Sequence, residues 1–86
     1  MSEPAIEPSE QALRRMFATA ISKRRRELEL SQEALAALTD MSTSYIGLLE
    51  RGQRNLTVLA ASKIASAYGM KLSEFVALAE TYGVSE

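Results

Sequence analysis

The segment SQEALAALTDMSTSYIGLLERG, residues 31–52, decides how this chain folds. Ser31 and Ser42 each precede a stretch of apolar residues at helical spacing, and serine is a preferred residue for capping a helix N-terminus. Gly52 follows the second stretch, at a place where helices commonly end in a left-handed residue. The segment therefore predicts two short helices, residues 32–39 and 43–51, joined by a tight turn.

Residues 39–41 must reverse the chain between these helices. Asp40 stands where a left-handed conformation is needed, and Asp tolerates this conformation better than most non-glycine residues. Met41 is then expected to hold the turn against the core. This layout is that of a helix-turn-helix, whose second helix lies in the DNA major groove in DNA-binding proteins. An ordinary helical hairpin has the same topology, so the layout alone leaves both interpretations open.

Three further helices flank this segment. Apolar residues recur at helical spacing after Ser9, which predicts a first helix over residues 9–28. Thr57 and Gly69 bracket a fourth helix, residues 58–68, and a fifth is expected over residues 72–82. No segment alternates like a half-buried strand. We therefore expect an all-α fold of five helices, with a flexible arm at residues 1–8 and a single domain at residues 9–86.

Composition narrows the functional classes. The 86 residues include no Cys and no His, which excludes disulfides, thiol chemistry and His-based catalysis. An apolar content of 47% suits a folded domain, and no apolar run reaches the ~20 residues of a membrane span. The absence of Cys fits a reducing compartment, so we expect a cytoplasmic protein. Because no nucleophile–base pair or metal cluster is recognisable, we expect that it is not an enzyme and has no metal, cofactor or small-molecule ligand.

Charge is unevenly distributed, although the net charge is only −1. All ten Lys and Arg residues lie between Arg14 and Lys71 together with five acidic residues, and the other six acidic residues lie outside this segment. A basic middle with acidic ends fits a protein that places one face on phosphate and another in solvent. An ordinary solvated surface has the same composition, so charge alone does not decide.

Four stretches in one register resemble the helix-turn-helix family of the lambda and Cro-type phage repressors, also called the XRE family. They are LSQEALA, SYIGLLERG, RNLTV and KIASAYGM. The resemblance covers about residues 21–76 and implies a lambda-repressor-like DNA-binding domain. More narrowly, SYIGLLERGQRNLTV is similar to the controller proteins of restriction–modification systems, which are small homodimeric transcription regulators.

The resemblance implies contacts with double-stranded DNA along both helices of the motif. Gln32 would bind a phosphate and lie against the recognition helix, and Ser31 would help to present backbone N–H groups to phosphate. Base edges would face Thr43, Ser44 and Leu48. The full expected DNA-binding set is Ser31, Gln32, Ser42, Thr43, Ser44, Tyr45, Leu48, Arg51, Arg54 and Asn55.

The base-reading face is chemically sparse. Hydroxyls and an aliphatic side chain discriminate bases weakly, so we expect Arg51, Arg54 and DNA deformability to carry more of the specificity. Gly47 is expected to let the helix backbone lie close to the groove. Glu29 and Asp40 replace residues that are usually glycine in the family, so the turns are expected to differ slightly.

Glu50 is expected to face the scaffold instead of DNA, because it shares a helix face with Ile46 and Leu49. The resemblance pairs it with Arg25 of the first helix. An unpaired buried carboxylate is strongly destabilising, and a guanidinium can satisfy it with two hydrogen bonds. The two residues are therefore expected to form a structural ion pair.

We expect a homodimer, because one motif covers half a turn of DNA and a two-fold partner supplies the second half-site. The fifth helix is apolar on more than one side, and the first helix has further apolar positions at Leu13, Met16 and Phe17. Such residues could also simply complete the core of a monomer. The expected interface consists of Leu72, Phe75, Val76, Ala79 and Tyr82.

These features favour a sequence-specific transcription regulator that binds a palindromic operator as a homodimer. The resemblance favours the restriction–modification controller type, which controls its own operon. The alternative from another class is an antitoxin-like interaction module whose main partner is a toxin protein.

Overall fold

The structure, a computed structural model, describes residues 9–83 and shows five α-helices. The expected all-α fold is confirmed, and no strand occurs in this part of the chain. None of its helices is long and apolar enough to cross a membrane. The arm expected at residues 1–8 lies outside the described residues. The helices are α1 (Glu10–Glu27), α2 (Gln32–Thr39), α3 (Thr43–Glu50), α4 (Val58–Ala67) and α5 (Leu72–Thr81).

Hydroxyl side chains cap the N-termini of the first four helices. Ser9, Ser31, Ser42 and Thr57 each accept a hydrogen bond from the backbone N–H three residues later, at 2.9–3.0 Å. This bond satisfies one of the N–H groups that a helix start leaves unpaired. Four helices are shorter than predicted, by one residue at the C-terminus and in α1 also at the N-terminus, because the prediction counted capping residues as helical.

A left-handed residue follows each of the first four helices. Asp40 has φ 56° and ψ 39°, as expected for the turn between α2 and α3. Glu29, between α1 and α2, has φ 60°, and Gly52 and Gly69 have φ 71°. Glycine adopts this conformation without a steric penalty, whereas a residue with a Cβ does not. Glu29 therefore holds a conformation that its side chain disfavours.

The core lies between the five helices, where α1 packs on α3 and α5, α2 packs on α3 and α4, and α4 packs on α5. Phe75 of α5 contacts the rings of Phe17 and Tyr68, with centroid distances of 5.9 and 6.3 Å. The buried Tyr68 hydroxyl donates a 2.6 Å hydrogen bond to the carbonyl oxygen of Ile21. This bond ties α4 to α1. The largest fully buried side chains are Phe75, Ile21, Leu35, Ile46, Leu49 and Ile64.

The position of α5 corrects part of the expected dimer interface. Phe75 and Ala79 are fully buried within the chain, because α5 packs its apolar face on α1 and α4. Neither residue has surface left for a second copy. Leu72, Val76 and Tyr82 keep part of their surface. The most exposed large apolar side chains of the described residues lie elsewhere, with Val58 at 74%, Leu59 at 66% and Leu38 at 60% exposure.

Candidate DNA-binding surface

An ion pair behind the motif holds α3 in place. Arg25 Nε donates to Glu50 Oε2 at 2.6 Å, and Arg25 Nη2 donates to Glu50 Oε1 at 3.1 Å. The third nitrogen, Nη1, donates to the carbonyl oxygen of Leu30 at 2.8 Å. The Arg25 and Glu50 side chains are only 12% and 7% exposed, and the hydrogen bond to Glu50 raises the pKa of Arg25 above its ordinary value. One guanidinium thus joins α1, the turn after it and the last residue of α3.

Gln32 belongs to the same network. Its Nε2 donates to Glu50 Oε1 at 2.9 Å, and a carboxylate that only accepts hydrogen bonds requires the nitrogen side of the amide to face it. Within residues 9–83, the second N–H and the Oε1 of Gln32 have no hydrogen-bond partner, so the N–H remains to donate to a phosphate and the Oε1 to accept from a water. The resemblance predicted that Gln32 lies against the recognition helix, but the local pattern did not name Glu50 as its partner, because the two residues lie 18 apart in sequence.

The outward face of α3 carries small polar groups. Ser44 is exposed and Thr43 and Leu48 are half-buried, while Ile46 and Leu49 face the core. The Ser42 hydroxyl accepts the Tyr45 backbone N–H at 3.0 Å and so is used in capping α3.

Tyr45 combines two environments. It is half-buried and packs against the core, with part of its surface left for a ligand. Tyr45 and the Ser42 cap therefore contribute to holding α3, whatever else they contact. Within residues 9–83, the Thr43 and Ser44 hydroxyls on the outward face have no hydrogen-bond partner.

Arg51 occupies the space beside Gly47. Gly47 is buried, and a Cβ at this position would lie 3.1 Å from Arg51 Nη1 and 3.8 Å from both Cζ and Nη2. The guanidinium therefore lies over Gly47, with Nε within 3.4 Å of Gln53 Oε1. The expectation that Gly47 brings bare backbone to a groove is wrong in this structure, because the Arg51 side chain covers that backbone.

The loop after α3 adds a basic rim. Arg54 and Asn55 are exposed, and Asn55 Oδ1 accepts a 2.8 Å hydrogen bond from Arg14 Nε of α1. The Asn55 amide nitrogen is therefore the group that can donate to a phosphate. Sequence reasoning missed Arg14, because only the fold brings α1 beside this loop. Glu10 pairs with Arg14 on the same helix.

The rim borders a groove of about 210 Å³. Its floor is largely apolar and includes Phe17, Leu49 and Leu56. Within residues 9–83, no group of three or more acidic side chains could hold a metal ion. The chemistry available at this surface is hydrogen bonding and positive charge.

A short helix held against the core, with a polar outward face and a basic loop at its end, is the arrangement of a DNA-binding helix-turn-helix domain. Residues 21–75 match the family model described as "Helix-turn-helix". The match spans more than half of the chain, and the chain belongs to this family. The resemblance expected from the sequence is confirmed.

Similar proteins include named regulators and controllers. The chain is 36% identical to the HTH-type transcriptional regulator y4dJ of Sinorhizobium fredii over 64 residues, which is 74% of this chain and 83% of that protein. It is 37% identical to the control protein C.MunI of a Mycoplasma species over 59 residues, 67% of this chain and 80% of that protein.

A solved structure of similar fold is the restriction–modification controller protein C.AhdI of Aeromonas hydrophila. The two share 35% identity with a TM-score of 0.69, over 72% of this chain and 94% of that one. The five-helix lambda-repressor-like fold is therefore confirmed at the level of structure.

Proposed function

We propose that this chain is a transcription regulator that binds a palindromic operator as a homodimer and controls its own operon, in the manner of a restriction–modification controller. The observation that carries the proposal is the network of Arg25, Gln32 and Glu50, which fixes α3 from behind. The outward face of α3 remains available to a ligand. Similarity to the control protein C.MunI and the controller protein C.AhdI supports the controller type.

We infer the following DNA contacts, which the positions of the side chains support. Gln32 and the N-terminus of α2, capped by Ser31, bind one phosphate. Arg54 and Asn55 bind phosphate at the other end of α3. Ser42 and Tyr45 support α3 at its start and contact the DNA backbone. The side chains proposed to face base edges are Thr43, Ser44, Leu48 and Arg51.

The second half-site requires a second copy of the chain. Apolar residues left on the surface are available for this contact: Leu72, Val76 and Tyr82 on α5, and the more exposed Val58 and Leu59 on α4. Burial of apolar surface stabilises such an interface by about 25 cal/mol per Å² before the costs of association. A cytoplasmic location and the absence of enzymatic activity belong to the same proposal.

A gel-shift titration against the DNA upstream of the chain's own gene tests the proposal. We expect specific retardation, with an association constant that falls steeply as salt rises, by a log–log slope of about −0.9 for each phosphate neutralised. An unrelated duplex of the same length is the control. Equal affinity for both duplexes at every salt concentration would contradict an operator-binding function.

A matched pair of variants locates the surface. Arg54→Ala should weaken binding and flatten the salt slope by about 1. Lys71→Ala removes an equal charge at the start of α5, which packs on α1 and α4 and away from the motif. Lys71→Ala should therefore bind like the parent protein, and an equal loss in both variants would refute the proposed face.

An antitoxin-like interaction module is the second candidate. Exposed apolar residues at Leu38, Val58 and Leu59 would also suit a protein partner such as a toxin. Copurification with a small toxin encoded beside the gene, without retardation of the upstream DNA, would favour this candidate over the regulator.

A further inference from the structure

Among the side chains proposed to face base edges, Arg51 is the strongest hydrogen-bond donor. Its guanidinium lies over Gly47, a residue that has no side chain. Arg51 is four residues after Gly47, so the two share one face of α3. The Arg51 guanidinium lies over Gly47, within 3.8 Å of the place where a Cβ would stand. The guanidinium is thereby set back by one helical turn from its own backbone position.

We propose that Gly47 is a positioning residue for Arg51, and that the guanidinium held over it reads a guanine in each half-site. This inference rests on the proposed DNA-binding function. Guanine presents two acceptors, N7 and O6, in the major groove, and a guanidinium contacts both with two parallel N–H groups. Thr43, Ser44 and Leu48 cannot form such a paired contact.

Within the described residues, the hydrogen bonds of Arg51 leave its two terminal nitrogens free to contact a base. Its Nε points to Gln53 Oε1, 3.4 Å away, and within residues 9–83 its two terminal nitrogens have no hydrogen-bond partner. A side chain at position 47 would crowd Nη1 at 3.1 Å. Because the guanidinium is the far end of a flexible side chain, it would move off this site while the helix stayed in place. The rare choice of glycine inside a helix, which costs about 1 kcal/mol relative to alanine, then has a positional reason.

Selection of duplexes from a random pool by the full chain tests the inference. We expect the enriched DNA to contain a guanine at one fixed position in each half-site. Replacing that guanine with 7-deazaguanine, which lacks the N7 acceptor, should weaken binding of the parent protein about tenfold. Arg51→Ala should respond to this replacement less than about twofold.

Gly47→Ala is the deciding variant. It should fold at least as stably as the parent protein, since alanine favours the helix, yet respond to 7-deazaguanine less than about threefold. In the Arg51→Ala background, Gly47→Ala should cause no further loss. Lys71→Ala, a change at the start of α5 and away from the motif, should keep the full response.

Three outcomes would overturn the inference. They are full discrimination by Gly47→Ala, no fixed guanine in the enriched DNA, and an Arg51→Ala variant that weakens all duplexes alike, as loss of a phosphate contact would. If the parent protein enriches no sequence at all, the proposed operator-binding function fails, and this result is distinguishable from a guanine-independent operator.

Discussion

The side-chain amide of Gln32, the first residue of α2, donates a 2.9 Å hydrogen bond to Oε1 of Glu50, the last residue of α3. Arg25 holds the same carboxylate from α1. A phosphate bound at Gln32 would therefore act on a side chain that also fixes α3. Arg25, Gln32 and Glu50 therefore couple the binding of a DNA phosphate at Gln32 to the orientation of the α3 face that is proposed to contact bases.

Glu50→Ala should lower the free energy of unfolding by about 3 kcal/mol, because it leaves the nearly buried Arg25 without its partner. Urea denaturation followed by circular dichroism measures the loss. Glu27→Ala is the control, since its ion pair with Arg24 is exposed and such pairs contribute about 1 kcal/mol or less. Equal losses in the two variants would show that the buried pair has no special structural role.

Tyr68→Phe should destabilise the protein by about 1 kcal/mol at about pH 7, because it removes the hydrogen bond to the Ile21 carbonyl. Burial raises the pKa of Tyr68 above its ordinary value of 10.0. In the parent protein, stability is therefore complete below pH 10.0 and falls at higher pH, where the unfolded chain loses a proton that the folded chain keeps.

The stability advantage of the parent protein over Tyr68→Phe should accordingly fall by about 1.4 kcal/mol for each pH unit above the unfolded pKa, so its sign should reverse within about one pH unit. Tyr45 and Tyr82 are present in both proteins and cancel in the comparison. Urea titrations at several alkaline pH values measure the effect. A stability difference that stays constant with pH would mean that Tyr68 ionises equally easily in the folded and unfolded states.

Glu29→Gly should raise the free energy of unfolding by about 0.5–1 kcal/mol, because it removes the Cβ that the left-handed conformation penalises. The larger backbone entropy that glycine loses on folding offsets only part of this gain. Thermal unfolding measures the gain. Asp40→Gly should stabilise less, since aspartate tolerates the same conformation better. A loss of stability in Glu29→Gly would indicate that this side chain has a contact that outweighs its strain.

Phe75→Ala should unfold the domain instead of separating two folded copies. Truncating a fully buried phenylalanine costs about 3–5 kcal/mol, and Phe75 contacts two other aromatic rings. Thermal unfolding followed by circular dichroism should show no cooperative transition for this variant. A well-folded monomer from Phe75→Ala would restore this residue to the dimer interface.

Leu59→Glu tests the surface of the proposed dimer. Leu59 is 66% exposed, so a glutamate at this position should leave the fold intact. Self-association should weaken, because the dimer interface would have to remove the charged carboxylate from water. Sedimentation equilibrium measures the dissociation constant, with Val76→Glu as the matched change on α5. If the parent protein is monomeric at every concentration, the homodimer is refuted.

Local chemistry explains how much of the fold could be predicted. Ser9, Ser31, Ser42 and Thr57 cap their helices through bonds that span three residues, and these bonds are visible in a short window of sequence. The left-handed turn at Asp40 is local in the same sense. The helix ends were missed by one residue because a capping residue resembles a helical one in any pattern.

Periodicity alone could not predict parts of the candidate site. Arg14 reaches Asn55 across 41 residues of sequence, and Gln32 reaches Glu50 across 18. Periodicity assigns a side chain to a helix face but does not say which neighbour covers that face. Phe75 and Ala79 were therefore assigned to a dimer, although α1 and α4 already cover them.

The sequence by itself determined five helices, their caps and turns, and the helix-turn-helix layout of residues 31–52, since each depends on interactions a few residues apart. The tertiary structure alone decided which apolar residues remain for a partner. It also placed Gln32 on Glu50 and Arg14 on Asn55, and it showed the Arg51 guanidinium lying over Gly47. These relationships arise when separate helices pack or when a long side chain selects a conformation, and no short-range pattern encodes either event.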